Sequence, residues 1–216
     1  MSDSEYAAPP CWPSGRFRCI VADPPWHVKA GPRSLHDENE RSRPLVYPTM
    51  TLAEIEAMPV AGVADKDAHL YLWTINRYVE NAYTVARAWG FEPSTLLVWA
   101  KRPKGRGLGG TWPTFTEFCL FARRGTLKAT TRGPSNWWTW TRGKHSEKPE
   151  AFQDMVETVS PGPYLELFAR RPRLGWTVWG NEVEANTEPH RTPDRPRAGG
   201  TCEGDGSASE SGGHHE

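Results

Sequence analysis

The stretch FRCIVADPPW, residues 17–26, joins a short apolar run to an acid, two prolines and a tryptophan. FRCIVA has the apolar character of a buried strand. Pro24 and Pro25 each fix φ at about −65° and remove a backbone donor, so the chain leaves this run in a stiff turn. The sequence therefore predicts a strand over 17–22, followed by a rigid turn that begins at Asp23.

Strand-like and helix-like segments alternate along the rest of the chain. Five further apolar runs are predicted strands: HLYLWT (69–74), STLLVWA (94–100), FTEFCLFA (115–122), YLELFA (164–169) and TVWG (177–180). Apolar residues at helical spacing predict helices over TLAEIEAM (51–58), NRYVENAYTVARAWG (76–90) and the segment after Pro149. This alternation predicts an α/β sheet with helices on its faces. The sites of such sheets gather beyond the carboxyl ends of the strands, where Asp23 lies.

Composition and charge narrow the function classes. The chain has 216 residues, 37% hydrophobic and 24% charged, with a formal net charge of zero, which suits one globular domain. Residues 101–150 nevertheless hold eleven Lys or Arg against three acids, net +8, and such a basic field suits a polyanion. The four cysteines form no CxxC pair, so neither a metal site nor a disulfide framework is indicated.

The two ends of the chain differ from its centre. Residues 1–14 are polar and rich in proline, and we expect them to be flexible. Residues 186–216 have almost no apolar side chains, so they are predicted to be disordered, because they bury too little surface to offset the ordering entropy. The catalytic domain is predicted over 15–185. With no secretory signal and no apolar run of about 18 residues, we expect a cytoplasmic protein with no membrane partner.

The turn after the first strand has a specific chemical character. The Asp23 carboxylate and the Pro24 and Pro25 carbonyls all accept hydrogen bonds, and we expect the carbonyls to face no local N–H partner. A planar ring with an amino group fits this array if its N–H groups reach Asp23 and Pro24 and the ring stacks on Trp26. Two acceptors aim the amine lone pair at an electrophile, so positioning and electrostatics can carry the catalysis. The alternative is a structural turn with a packed tryptophan.

Seven stretches in order resemble the DPPW adenine-N6 methyltransferases, the family of the catalytic subunit of the eukaryotic messenger-RNA adenosine methyltransferase. The resemblance runs from Phe17 to Glu182 and rests on VADPPW, VYPTMTLAEIEAMP, LYLWTINRYVENAYTVARAWGFE, LLVWAK, FTEFCLFARRG, HSEKPEAFQDMVETVSPGPYLELFAR and GWTVWGNE. It implies a Rossmann-like fold in permuted order, with the catalytic motif before the cofactor-binding strand. It also implies S-adenosylmethionine as the cofactor.

The resemblance assigns roles to individual residues. Asp23, Pro24, Pro25 and Trp26 form the catalytic motif, in which Trp26 stacks on the base, and Tyr47 lies in a substrate loop. The residues implied around the cofactor are Asp23, Lys148, Glu166, Phe168, Asn181 and Glu182. Glu182 departs from the eukaryotic enzyme, which has glutamine there. Independently, a carboxylate within the apolar run at Glu166 is costly to bury unless it is paired, and a ribose diol supplies two donors; the alternative is an edge-strand glutamate that faces water.

Two basic stretches bear on the substrate. KRPKGRGLGG (101–110) is glycine-rich and cationic, and Lys101, Arg102, Lys104 and Arg106 are predicted to contact phosphates. RGPSNWWTWTRGK (132–144) holds three tryptophans among basic residues. We expect two of these indoles to be core and one to stack on nucleic acid.

The sequence thus predicts an adenine-N6 methyltransferase acting on nucleic acid, with DNA favoured over RNA, from a prokaryotic cell or a phage-infected host. A target adenine in duplex DNA has to be flipped out of the stack. The alternatives are RNA adenine-N6 methylation, DNA cytosine-N4 methylation, and a catalytically silent nucleic-acid-binding subunit. A homodimer is one assembly to test.

Overall fold

A seven-stranded sheet forms the centre of the molecule. The computed structural model describes residues 11–27, 48–101, 111–140 and 148–183. The strand order is β5-β3-β4-β2-β1-β6-β7. Their bounds are β1 Phe17–Ala22, β2 Ala64–Thr74, β3 Glu92–Ala100, β4 Thr116–Arg124, β5 Trp137–Trp138, β6 Tyr164–Leu167 and β7 Trp176–Trp179.

Six of these strands run in the same direction. β1 pairs in parallel with β2 and β6, β6 with β7, and β3 with β5. β4 is antiparallel to both of its neighbours, β2 and β3. The carboxyl ends of the six parallel strands and the first residues of β4 therefore meet at one edge of the sheet.

Helices cover both faces of the sheet. Their bounds are α1 Leu52–Glu56, α2 Val60–Val63, α3 Val79–Ala88 and α4 Glu150–Val159, with a 3-10 turn at Asn76–Tyr78 before α3. Because strand side chains alternate between faces, Ile20 and Ala22 of β1 join one core cluster with α1, α2 and α3, whereas Cys19 and Val21 join a second one with α4. The fold is thus a three-layer α/β structure, as predicted.

The predicted elements agree with the structure except at some boundaries. β1 has the predicted bounds, and the predicted capping box of α1 forms between Thr51 and Glu54. β2 begins five residues earlier than predicted, because Asp67 accepts the Thr126 N–H (2.6 Å) and holds the polar start of β2 beside the end of β4. β6 ends at Leu167 rather than at residue 169, because Phe168 has φ +63°. The short elements α2 and β5 were not predicted.

The chain changes direction between β1 and β6, which are neighbours in the sheet. It leaves β1 towards β2 on one side and leaves β6 towards β7 on the other. Such a switch point opens a crevice beyond the strand ends, where α/β proteins bind ligands. Two backbone hydrogen bonds narrow this crevice. The Asp23 N–H donates to the Leu167 carbonyl (3.4 Å), and the Ala169 N–H donates to the Trp179 carbonyl (2.9 Å).

A glycine permits the second of these close approaches. A Cβ at residue 180 would lie 2.1 Å from the Ala169 carbonyl oxygen, so only glycine fits there. Gly180 therefore lets the segments that follow β6 and β7 lie against each other. The result is the predicted Rossmann-like arrangement, with the DPPW strand before β6 in the chain.

The described part of the chain contains neither a helix suited to span a membrane nor a cluster of metal ligands. None of its helices has the length and apolar character needed to cross a bilayer. No three His, Cys, Asp or Glu side chains converge there as metal ligands. Cys11, Cys19 and Cys119 are free thiols, and the last two are buried in the second core cluster.

Candidate active site

The DPPW turn is fixed by backbone hydrogen bonds that the sequence did not predict. The Trp26 N–H donates to the Pro24 carbonyl (2.8 Å), and the Met50 N–H donates to the Pro25 carbonyl (2.9 Å). The expectation that these carbonyls face no local N–H partner was wrong for Pro24, because the turn folds back on itself; the Pro25 carbonyl instead bonds the segment before α1, which is distant in the sequence. A carbonyl oxygen has two lone pairs, so Pro24 retains acceptor capacity.

Trp26 is buried beneath this turn. Its ring is 5% exposed, its indole N–H donates to the Trp73 carbonyl (3.0 Å), and one face stacks on Tyr78 at 5.4 Å between centroids. The expectation of an open Trp26 face for a base does not agree with this structure, because the ring fills the first core cluster. Trp26 instead packs in the core next to the turn and stabilises it.

Tyr78 is the aromatic side chain that lies outside Trp26, and sequence reasoning missed it. It is half-buried, and its hydroxyl donates to the His27 carbonyl directly after the DPPW motif. Its position follows from the 3-10 turn at Asn76–Tyr78, which begins just beyond the carboxyl end of β2. An aromatic residue shortly after a predicted strand end was the available signal.

Asp23 and three other charged side chains form a network of alternating charge, which we call the charged network. Lys148 Nζ lies 2.6 Å from Asp23 Oδ2 and 3.3 Å from Glu117 Oε2, and Lys101 Nζ contacts Glu117 Oε1. Glu117 is near the start of antiparallel β4, Lys101 follows β3, and Lys148 precedes α4. The four side chains come from four separate parts of the sequence and meet at the carboxyl edge of the sheet.

This arrangement favours the ionised forms of Glu117 and Lys148. Burial raises the pKa of Glu117, but Lys148 and Lys101 outweigh burial, so that pKa lies below its usual value. Burial lowers the pKa of Lys148, but Asp23 and Glu117 outweigh it, so that pKa lies above its usual value. The site therefore holds a fixed pattern of alternating charges in a largely shielded position.

Glu166 lies in the same cavity as Asp23. The cavity is small, with about 30 Å³ of free volume, and its lining includes Asp23, Lys148, Gln153, Glu166 and Phe168. The Gln153 amide donates to Glu166 Oε2 (2.6 Å). Burial, with a further contribution from the Asp23 charge, raises the pKa of Glu166 to about 7. Gln153 was missed, because only the apolar positions of α4 were counted.

The other residues predicted around the cofactor lie at the same edge in different settings. Phe168 is 8% exposed, and its φ of +63° is unusual for a bulky side chain, which marks local strain of the kind found at functional sites. Asn181 and Glu182 are exposed just after β7, and Glu182 lies 3.6 Å from Arg170. The structure brings Asp23, Lys148, Glu166 and Phe168 together around one cavity, whose lining does not include Asn181 and Glu182.

The residues predicted to bind substrate are only partly covered. Tyr47, Arg102, Lys104 and Arg106 lie outside the described residues. Lys101 pairs with Glu117, and its Nζ lies 5.1 Å from the centre of the Trp99 ring. In this structure Lys101 therefore belongs to the charged network of Asp23, Lys148 and Glu117.

The three clustered tryptophans divide as the sequence predicted. Trp138 and Trp140 stack 4.9 Å apart at an interplanar angle of 4° and pack against the second core cluster. Trp137 is 58% exposed. Two of the indoles thus pack against the core and Trp137 has surface available to a partner; stacking of one indole on nucleic acid stays a prediction.

Comparison with known proteins gives the family. The MT-A70 family model matches residues 17–182. The chain is 32% identical over 194 residues to the Type II methyltransferase M.MunI of Mycoplasma sp., and the match covers 82% of each chain.

Longer relatives match the same region. The chain is 29% identical over 180 residues to the Drosophila melanogaster N(6)-adenosine-methyltransferase MT-A70-like protein, and 28% identical over 180 residues to the Homo sapiens N(6)-adenosine-methyltransferase catalytic subunit METTL3. These two matches cover 79% of this chain, but the chain spans only 27% and 29% of the relatives' lengths. The matched region begins at β1 with its DPPW turn and ends after β7, so this chain belongs to the MT-A70 family of N6-adenine methyltransferases.

Proposed function

We propose that this chain transfers a methyl group from S-adenosylmethionine to the exocyclic N6 amine of adenine in DNA. One observation supports the proposal most: Asp23 and Pro24 are fixed together at the end of β1, directly beside the switch-point cavity that contains Glu166. Methyl transfer to an amine requires groups that accept hydrogen bonds from the amine and a crevice that binds the cofactor. Both lie at the end of one strand here.

The residues around the cavity fit the chemistry of this cofactor. When bound, S-adenosylmethionine supplies a methyl group made electrophilic by its sulfonium. Lys148 offers a cation for its carboxylate, and Glu166 offers a carboxylate for ribose hydroxyls. Trp73 also lines the cavity, and its buried indole N–H has no hydrogen-bond partner among the described residues. A bound ligand with an acceptor at that place would satisfy this donor.

Asp23 and Pro24 would orient the target amine. Both present oxygens to N–H groups, and the double proline and the Met50 contact keep these oxygens from moving apart. Hydrogen bonds to both N–H groups aim the nitrogen lone pair away from the turn, towards the methyl donor. When the nitrogen has gained its methyl group it has to lose a proton, and the Asp23 carboxylate is the adjacent acceptor.

DNA is the proposed substrate because the relative matched over most of its length is a type II methyltransferase, and enzymes of that class modify DNA. The net charge of +8 over residues 101–150 suits either nucleic acid. A homodimer, and a cytoplasmic location in a prokaryotic cell or a phage-infected host, stay predictions.

The test is methyl transfer from an isotopically labelled donor to unmethylated genomic DNA and, in parallel, to RNA, with mass spectrometry of the released nucleosides. We expect N6-methyladenine in the DNA. Asp23→Ala should lower the rate by at least about 100-fold, the usual loss when one positioned polar group is removed from a reacting centre. Asp154→Ala, at a 67% exposed carboxylate on α4, is the matched control and should retain the wild-type rate.

Each alternative function has its own outcome in this experiment. Equal rates for wild type and Asp23→Ala would refute the assigned role of the carboxylate. N4-methylcytosine, or methylation of RNA alone, would change the substrate. DNA binding without donor binding in calorimetry would identify a silent binding subunit.

A further inference from the structure

A second cavity lies on the α4 face of the sheet, away from Asp23. It measures about 1080 Å³, whereas the cavity beside Asp23 has about 30 Å³ of free volume. Ligand sites in proteins usually measure about 300–1000 Å³, so the second cavity is large enough for a sizeable ligand. We call it the sheet-face cavity. Its lining includes Leu97 of β3, Phe121 and Arg123 of β4, Trp138 of β5 and Met155 of α4.

The connection between β4 and β5, residues 125–136, forms the outer wall of the sheet-face cavity. Because β5 pairs with β3 rather than with β4, this connection has to cross the face of β3. At one end the Thr130 N–H donates to the Val159 carbonyl of α4 (2.8 Å), and at the other end the Val98 N–H of β3 donates to the Asn136 carbonyl (2.8 Å). Residues 132–135 are exposed and line the cavity. Backbone hydrogen bonds therefore hold this wall at both ends.

The lining of the sheet-face cavity is cationic. Its described residues include two arginines, Arg123 and Arg132, and no aspartate or glutamate. Both arginines are exposed, and neither lies within ion-pair distance of a carboxylate of the described residues. Arg173, which lies outside the cavity, in contrast contacts Asp154 and Glu157 at 2.7 and 2.8 Å. Two cations of the cavity are thus available to an anionic ligand.

Aromatic and uncharged polar side chains complete the lining. Phe121 and Trp138 are half-buried and line the cavity. The Arg123 guanidinium lies 5.7 Å from the centre of the Phe121 ring, so a cation is placed beside an aromatic surface. Thr95 and Asn136 add groups that can form hydrogen bonds. Rings on which bases stack, next to cations that contact phosphates, are typical of sites for unpaired nucleic-acid strands.

The sheet-face cavity lies within reach of a strand that is bound at the catalytic edge. Glu117 and Arg123 are six residues apart in β4 and point to the same face, because strand side chains alternate. Their separation along β4 is about 20 Å, at about 3.3 Å per residue. This distance corresponds to about six nucleotides at the spacing of about 3.4 Å along one stacked strand.

We propose that the sheet-face cavity binds an unpaired stretch of the nucleic-acid substrate, about six nucleotides from the target adenine. This inference rests on the proposed function, since it presumes a nucleic-acid substrate. Arg123 and Arg132 contact phosphates of that stretch, and its bases stack on Phe121 and Trp138. The cavity adds affinity for the strand and takes no part in methyl transfer.

The binding test uses labelled single-stranded DNA of about 20 nucleotides, which is longer than the site of one binding domain, and no donor. Arg123→Gln and Arg132→Gln should each raise Kd by roughly fivefold, and each should lower the slope of log Kd against log salt by about 0.7, the value for one phosphate contact. Fluorescence anisotropy at several salt concentrations measures both quantities. The matched control is Arg87→Gln, at a 56% exposed arginine of α3 on the other face, which should change neither. Unchanged Kd and slope in both cavity variants would overturn the inference.

A second pair of variants tests the aromatic surface. Phe121→Leu removes one ring on which a base can stack, so Kd should rise by at least about fivefold. The salt slope should stay the same, because no charge is lost. Phe121→Tyr keeps the ring and should bind as wild type does, and thermal midpoints check that both variants fold. An unchanged Kd in folded Phe121→Leu would contradict the proposed stacking.

Strand length separates this cavity from the active site. With saturating donor, the wild-type KM should fall roughly fivefold when the DNA extends about ten rather than about three nucleotides beyond the adenine on both sides. Arg123→Gln should abolish this fall, but it should leave the KM of the short strand and the rate at saturating DNA unchanged. Equal changes of KM for short and long strands would overturn the inference.

Two further outcomes distinguish the partner and the proposed function. Binding of polyglutamate, but not of DNA, through Arg123 and Arg132 would overturn the inference and identify an acidic protein as the partner. Absence of methyl transfer by wild type would refute the proposed function. The anisotropy measurements would still decide the inference in that case, because they need no donor.

Discussion

Two polar networks lie on the α4 side of the sheet, and they are built in opposite ways. At the carboxyl edge, Asp23, Lys148, Glu117 and Lys101 are charged and partly exposed. Deeper in the same layer, His69 and Ser160 are buried and uncharged. His69 Nδ1 bonds Ser160 Oγ (2.8 Å), His69 Nε2 bonds the Leu127 carbonyl (3.1 Å), and the Tyr71 hydroxyl bonds Ser160 Oγ (2.8 Å).

The difference separates stability from function. Each polar group of the neutral network has its partner in one geometry, so the network ties α4 and the segment after β4 to the sheet. In the charged network, Lys148 has two carboxylate partners, Asp23 at 2.6 Å and Glu117 at 3.3 Å. A fully satisfied network stabilises one structure, whereas a shared one permits exchange.

Breaking the neutral network should have the largest effect on stability. His69→Leu leaves the Leu127 carbonyl buried without its side-chain partner and removes one of the two partners of Ser160, which still bonds Tyr71; we expect a cost of about 2–4 kcal/mol in the free energy of unfolding. Urea denaturation measures this loss. His27→Leu is the matched control, because His27 is half-buried and its side chain bonds Thr49 (3.0 Å), and it should cost less than about 1 kcal/mol. Comparable losses would mean that the neutral network does not stabilise the fold as described.

The acidic group at the carboxyl edge, Glu166, should instead affect the affinity for the ligand. A carboxyl group binds hydroxyl donors more strongly when it is ionised, and burial raises the pKa of Glu166 to about 7. The affinity for S-adenosylmethionine should therefore rise about tenfold from pH 6 to pH 8, as Glu166 loses its proton. Calorimetric titrations at several pH values measure this rise. Glu166→Gln should flatten the profile, and an equally steep profile in that variant would assign the effect to another group.

His69 and Glu166 should also respond oppositely to acid, and this is the smallest expected effect. Burial lowers the pKa of His69 below 6.5, so the folded state binds fewer protons than the unfolded one and stability falls as pH drops below about 6.5. The raised pKa of Glu166 has the opposite sign, because its contribution to stability is largest below 4.5 and is lost as pH rises through about 7. The two contributions oppose each other between pH 7 and pH 5.5.

The variant Glu166→Gln separates the contributions of His69 and Glu166 to stability. In Glu166→Gln the His69 contribution remains, and the free energy of unfolding should fall by about 1 kcal/mol from pH 7 to pH 5.5. Wild type should change less over the same range. Urea denaturation at the two pH values measures both changes, and a flat result in Glu166→Gln would contradict the assignment to His69.

The sequence was sufficient where local pattern determines structure. FRCIVA, the capping box at Thr51 and the apolar spacing of α3 and α4 each specify an element within a few residues, and the double proline after a strand placed Asp23 correctly at the sheet edge. Resemblance then supplied Lys148 and Glu166, which the structure brings into one cavity with Asp23.

The contacts that sequence reasoning missed depend on the order of the strands in the sheet. Glu117 reaches Lys148 because β4 is inserted antiparallel between β2 and β3, which brings its first residues to the carboxyl edge. Lys101 suggested a phosphate contact from its basic neighbours, but the β3–β4 pairing gives it Glu117 as a partner. The burial of Trp26 depends on Tyr78 and Trp73, about 50 residues away, and no turn motif encodes that.

The antiparallel direction of β4 also bears on how such enzymes can diverge. β3 and β4 form a hairpin whose open end is at the catalytic edge, where the Lys101 N–H and the Phe115 carbonyl close the stem. Because this closing bond joins backbone atoms, the residues between these two positions can change while β3 and β4 keep their register. The connection and the catalytic framework are therefore separable units of inheritance in this fold.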